Sequence, residues 1–198
     1  MKAIKYALLS TVVFASFANA GTVSDFFDGV SVGAGYANES YSGEHPTGDA
    51  IPVDSKRSDG LDIYAQAPIN DYLFVDSRYS WTQEDYYGNT KAGNQLNAES
   101  KFERYQAYLG AGYPFHVTQS IQLKPFVKTG WSWDKGSLKT VAPTFDTQVN
   151  ASKNDNSFTL GTGVEAQFGH HFVSTVNYTK ETSGFKMEQV SFDLGYRF

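Results

Sequence analysis

The chain reads as an all-β protein, an eight-stranded antiparallel up-and-down β-barrel that crosses a membrane. Three observations predict it. Apolar and polar residues alternate strictly in eight segments, and almost nothing recurs at helical spacing. The connections alternate between long polar stretches and tight turns, as in a barrel with loops at one end and turns at the other. One face of each segment is apolar or aromatic at nearly every position, although the mean hydropathy is polar at −0.40 and aromatic residues make up 16% of the chain.

The start of the chain is read apart from the barrel. Lys2 and Lys5 precede an apolar run from Tyr6 to Phe17, and Ala18-Asn19-Ala20 forms the small-x-small pattern cut by signal peptidase. That run is too short to span a bilayer as a helix. Residues 1–20 are expected to be a signal peptide and residues 21–198 the barrel. Removing the leader takes away two lysines and no acid, so the net charge moves from −5 to −7. An acidic balance argues against nucleic acid as a partner, which calls for a basic stripe. The chain has no cysteine, so a hydrogen-bond network or a large core must hold an exported fold together.

The first segment sets Val30, Val32, Ala34 and Tyr36 on one face, with Ser31, Gly33 and Gly35 between them. The second opposes Leu61, Ile63, Ala65 and Ala67 to Asp62, Tyr64 and Gln66. The third alternates Leu73, Val75, Ser77, Tyr79 and Trp81 with Phe74, Asp76, Arg78 and Ser80. In the fourth, Tyr105, Ala107, Leu109, Ala111 and Tyr113 oppose Arg104, Gln106, Tyr108, Gly110 and Gly112. The fifth places Ile121, Leu123, Val127, Trp131 and Trp133 against Gln122, Lys124, Phe126, Lys128 and Ser132. Pro125 falls within it and points to a strand end or bulge, because proline cannot donate to a ladder. The sixth sets Phe158, Leu160, Val164, Ala166 and Phe168 against Thr159, Gly161, Gly163, Glu165 and Gln167. The seventh, with Phe172, Val176 and Tyr178, carries the weakest pattern. The eighth is the cleanest, Val190, Phe192, Leu194, Tyr196 and Phe198 against Gln189, Ser191, Asp193, Gly195 and Arg197.

Long connections are expected at about 39–58, 83–101 and 134–156, with a shorter one at about 181–186. Tight ones fall near Pro68–Asp71, Pro114–Ser120 and Gly169–His171, and an even strand count puts both termini at the turn end, in the periplasm. A soluble sandwich also alternates, but it would have to bury the tryptophans and tyrosines of the apolar face. Those aromatics cluster at segment ends instead. Tyr36, Tyr79, Trp81, Trp131, Trp133, Phe158 and Tyr178 lie near the loops, and Tyr72, Tyr113, Phe168, Phe172, Tyr196 and Phe198 near the turns. Two such girdles mark membrane interfaces.

The last residues, Val190-Ser191-Phe192-Asp193-Leu194-Gly195-Tyr196-Arg197-Phe198, resemble the terminal strand of outer-membrane barrels. In that family, alternate positions such as Phe192, Leu194, Tyr196 and the final Phe198 form the signal read by the barrel-assembly machinery. With the leader and eight segments, the chain resembles small barrels of the outer membrane protein A transmembrane-domain, opacity-protein and Ail/Lom types. The resemblance covers the mature chain as a pattern and carries over few individual residues. It implies a monomer in the bacterial outer membrane, in contact with lipids and lipopolysaccharide. No peptidoglycan-binding domain follows Phe198, so the tethering role of larger family members is not expected.

An eight-stranded barrel has an interior that side chains just fill. The inward positions carry Asp62, Asp76, Glu165 and Asp193 against Arg78, Arg104, Lys124, Lys128 and Arg197. Four acids facing five bases read as a structural salt-bridge network, since unpaired buried charge is costly; a gated ion path is the alternative. Lys124 and Glu165 are expected to pair near the periplasmic end. Bulky Tyr64, Phe74, Tyr108 and Phe126 are expected inward and argue for closure. No cofactor or metal is expected, because His170-His171 has no visible third ligand. Gly33-Ala34-Gly35 and Gly161-Thr162-Gly163 read as glycines making room in a narrow barrel. His45 with Ser42 and Glu44 is the one loop cluster with residue types suited to catalysis, and it lacks a recognisable triad. The reading is therefore a non-enzymatic surface protein acting through its loops on an extracellular ligand, with Tyr41, Tyr86, Tyr87 and Phe145 as apolar tips. A narrow pore stands second, and a lipid-modifying enzyme third.

Overall fold

A computed structural model describes residues 28–41, 57–89, 95–142, 147–184 and 186–198. The expected leader, the His45, Ser42 and Glu44 cluster and Phe145 lie outside them. Nine strands occur among the described residues: β1 (Ser31–Tyr41), β2 (Arg57–Pro68), β3 (Leu73–Asn89), β4 (Gln95–Gly112), β5 (Phe115–Thr118), β6 (Ile121–Ala142), β7 (Thr147–Phe168), β8 (Phe172–Glu181) and β9 (Met187–Arg197). All pairs are antiparallel, and β4–β6 together with β1–β9 closes eight of the strands into a barrel. Following register partners from Pro68 through Phe74, Gly110, Lys128, Gly161, Thr179, Gln189 and Glu39 returns to β2 at Ser58, ten residues up the strand. That stagger tilts the strands, as closure of a small barrel requires.

Alternation sorts the side chains. Leu61, Ile63, Leu109, Val127, Leu160, Val176, Phe192 and Leu194 are exposed on the outer face, while Tyr64, Phe74, Tyr108 and Phe126 are buried inside. A continuous apolar exterior of this kind marks a surface made for lipid rather than water. Val30, expected on the outer face, is buried and precedes β1.

The tight connections are made as their residues dictate. Asn70 Oδ1 accepts from the amides of Tyr72 and Leu73, an Asx turn between β2 and β3. Gly169 adopts φ 63° between β7 and β8, a conformation favourable to glycine. The Pro114–Ser120 connection differs from a plain turn. It holds β5, which pairs with β6 through a register shift between His116 and Thr118. Pro125 lies inside β6 in unbroken register with Val164, not at a strand end. Its carbonyl accepts from Tyr113 N at 3.1 Å, so its nitrogen faces the place where β4 gives way to β5, and no ladder donor is lost there.

Two expected loops are strand. The stretches 83–101 and 134–156 continue β3, β4, β6 and β7 as long hairpins, paired up to Asn89↔Gln95 and Ala142↔Thr147. Beyond the lipid the outward residues are polar as well as the buried inward ones, so the apolar–polar contrast vanishes while the backbone ladder persists. The ladder there carries Lys135–Glu103 at 3.0 Å on the outer face. Tyr86 and Tyr87 fall on β3, and Tyr41 is the last residue of β1. The connection at 181–186 remains short, between β8 and β9.

Candidate functional site in the barrel lumen

The interior is built in three polar layers around a few bulky rings. At the hairpin end, Arg104 on β4 reaches Asp134 on β6 (2.8 Å), Glu181 on β8 (3.1 Å) and Glu39 on β1 (3.6 Å), all buried. Hydroxyls and amides complete these acids. Ser80, Thr82 and Gln189 donate to Glu39, and Ser132 donates to Asp134. Arg104 donates a hydrogen bond to Asp134 through Nε and meets Glu39 and Glu181 as ion pairs, so one delocalised cation serves three carboxylates.

In the middle layer Arg78 on β3 contacts Asp62 on β2, Asp193 on β9 at 2.9 Å and Asp76 on its own strand at 3.1 Å. Lys128 donates to Asp76 at 2.6 Å, and its ammonium lies 4.1 Å from the Tyr108 ring centroid. Charge-assisted bonds of this kind offset the desolvation of buried ions.

At the turn end Arg197 on β9 donates to Glu165 at 2.6 Å, to Gln167 and to Ser31. The expected Lys124–Glu165 pair does not form. The two are register partners on β6 and β7, but Glu165 is committed to Arg197 and Gln66. Lys124 instead places its ammonium 4.8 Å from the Phe74 ring centroid. Phe74 packs edge-on against Phe126 at 5.6 Å and separates this end from the middle layer.

All nine charged residues expected inward lie in these layers. Glu39, Asp134 and Glu181 join them and make seven acids rather than four. Each falls where a loop is expected, yet each keeps the inward parity of its strand, set by Ala37, Ser132 and Thr179. Extending the parity would have found them.

The girdle residues sit on the outer face. Trp131 meets Phe158 at 6.5 Å and Trp133 meets Tyr105 at 5.7 Å toward the hairpins. Tyr113 stacks on Tyr72 at 5.9 Å, and Tyr196 packs against Phe198 at 5.2 Å toward the turns. Tyr36, Tyr79, Trp81 and Phe168 are exposed on the same surface. His171 stacks on Tyr196 and contacts the Arg197 carbonyl through Nδ1. No three metal-ligating side chains converge among the described residues.

Comparison with known proteins agrees with this architecture. The model of the outer membrane protein beta-barrel domain family matches residues 6–198. Ail of Yersinia pestis, solved in complex with the heparin analogue sucrose octasulfate, superposes with a TM-score of 0.55 at 17% identity, covering 86% of this chain and 99% of that one. Neisserial surface protein A gives 0.53 at 19% identity, covering 86% and 98%. OprG of Pseudomonas aeruginosa gives 0.52 at 13% identity, covering 85% and 95%. No curated protein matches the sequence.

Proposed function

The chain belongs to the outer membrane protein beta-barrel domain family, and from that premise we propose that it is a non-enzymatic, non-conducting barrel that presents its hairpins at the cell surface. Barrels of this family reside in the bacterial outer membrane. The observation that carries the reading is the filled lumen, where Arg78 draws Asp62, Asp76 and Asp193 together above the Phe74–Phe126 pair. Paired charges and interlocked rings suit a rigid plug better than a water path. Function then falls to the extracellular side, where β3, β4, β6 and β7 outrun the other strands. Ail is seen with a heparin analogue, and an extracellular ligand at the hairpins is the corresponding expectation here.

The proposal includes export through a leader ending at Ala20, anchoring by the two aromatic girdles, and assembly through the alternating Phe192, Leu194, Tyr196 and Phe198. The test is solute and ion flux through liposomes carrying the refolded barrel, its folding confirmed by heat-modifiable gel mobility. Flux equal to that of empty liposomes supports the reading. Flux well above them, altered by Lys128→Ala, replaces it with a narrow pore.

A further inference from the structure

Below Phe74 the barrel opens at its turn end into a cavity of about 490 Å³, lined by Gln66, Asn70, Asp71, Gln122, Lys124 and Arg197 among others. Lys124 is only 8% exposed, yet it makes no hydrogen bond or ion pair. Its ammonium lies against the Phe74 ring. The nearby Glu165 does not bond it and accepts instead from Arg197 at 2.6 Å and from Gln66 at 3.0 Å. The Asp71 carboxylate also lines the cavity without bonding Lys124. Gln122, two residues away on the same face of β6, makes no side-chain hydrogen bond either. Among the described residues, the other buried lumen cations, Arg78, Arg104 and Lys128, each have a carboxylate.

A largely buried lysine that faces an open cavity with no carboxylate bonded to it is an exception in a molecule that pairs its other interior charges. We propose that this vestibule binds a compact oxyanion from the periplasmic side, with Lys124 supplying the charge and Gln122 an amide donor. Phosphate is the chemistry that fits, because a lysine recognises it as a point charge without a bidentate fork. The fork of Arg197 is already engaged with Glu165, Gln167 and Ser31.

The experiment titrates inorganic phosphate into the refolded full barrel in zwitterionic detergent at low ionic strength, read by calorimetry. Saturable binding is expected, weakened by about tenfold or more in Lys124→Gln and unchanged in Lys135→Gln, which alters an exposed outer lysine. Acetate in a parallel arm is expected to bind more weakly; equal binding overturns the phosphate assignment. The unsubstituted protein gives an independent readout in which phosphate protects Lys124 from reductive methylation, quantified by mass spectrometry of its peptide. This second readout decides the matter if Lys124→Gln fails the gel-mobility test of folding. Absence of saturable binding, equal affinity in the variant, or unprotected Lys124 overturns the site.

Discussion

Arg104 Nε and Asp134 Oδ1 sit 2.8 Å apart on directly facing positions of β4 and β6, the two strands that meet across the β5 connection. The same guanidinium reaches β1 through Glu39 and β8 through Glu181. One side chain thus ties four strands together near the hairpin end. Arg104→Met leaves three buried carboxylates without their cation. Breaking a buried pair from one side costs about 3–5 kcal/mol, so the urea midpoint of the variant is expected to fall sharply. Arg104→Lys is expected to recover only part of the loss, because an ammonium lacks the planar fork. A midpoint unchanged in Arg104→Met means that the layer contributes nothing to stability.

Lys180 and Glu188 face outward across β8 and β9, one step beyond Tyr178 and Val190 and outside the apolar band. Lys180 Nζ donates to Glu188 at 2.6 Å, and this bond holds the Glu188 carboxyl below its usual range. A depressed folded pKa contributes stability above the unfolded value, and that contribution is lost as pH falls through the folded value. The pair is exposed and screened by salt, so the effect belongs to a titration curve more than to a midpoint. Carboxyl NMR is expected to show Glu188 titrating below an ordinary glutamate in the native barrel and returning to the ordinary range in Lys180→Met.

A β-carbon added at Gly110 would stand 2.2 Å from Phe74 Cζ, and one at Gly33 would stand 2.5 Å from Tyr64 Cε1. These glycines are on strands because rings from the neighbouring strands occupy their side-chain space. Gly110→Ala is expected to destabilise the barrel by about 1–3 kcal/mol through overpacking. Phe74→Leu in the same chain relieves the clash, so the double variant is expected to lose less than the two single losses combined. Strict additivity by urea denaturation would show that Phe74 moves aside freely.

Inside the lipid-facing band, sequence and structure coincide because the two sides of each strand meet opposite environments. That contrast writes itself as alternation, and the inward set from Asp62 to Arg197 is readable from it. Beyond the band the outward face turns polar while the inward face stays polar and buried, so nothing in residues such as Ser100 and Lys101 separates a ladder from a loop. The extension of β4 and β7 was hidden for that reason, and Glu39, Asp134 and Glu181 with it. Partner choice was hidden for another. Lys124 and Glu165 face each other in register, but the longer Arg197 offers Glu165 a guanidinium and leaves Lys124 against Phe74. Parity gives the face of a residue, whereas the geometry of side-chain reach selects its partner.

Two barriers lie in series along the lumen, and they fail differently. The Phe74–Phe126 pair is apolar, while the Arg78 layer above it is held by three carboxylates. Phe74→Ala removes a fully buried ring and is expected to cost about 3–5 kcal/mol. It is expected to leave ion flux at the level of the unsubstituted barrel, because the Arg78 layer still closes the path. Adding Arg78→Ala to Phe74→Ala removes both barriers, and measurable flux is then expected from the fraction that passes the gel-mobility test. Conductance in Phe74→Ala alone would make the aromatic pair the sole gate and the Arg78 layer permeable. Silence in the folded double variant would place closure in the hairpin-end layer around Arg104, whose guanidinium and three acids fill the same bore.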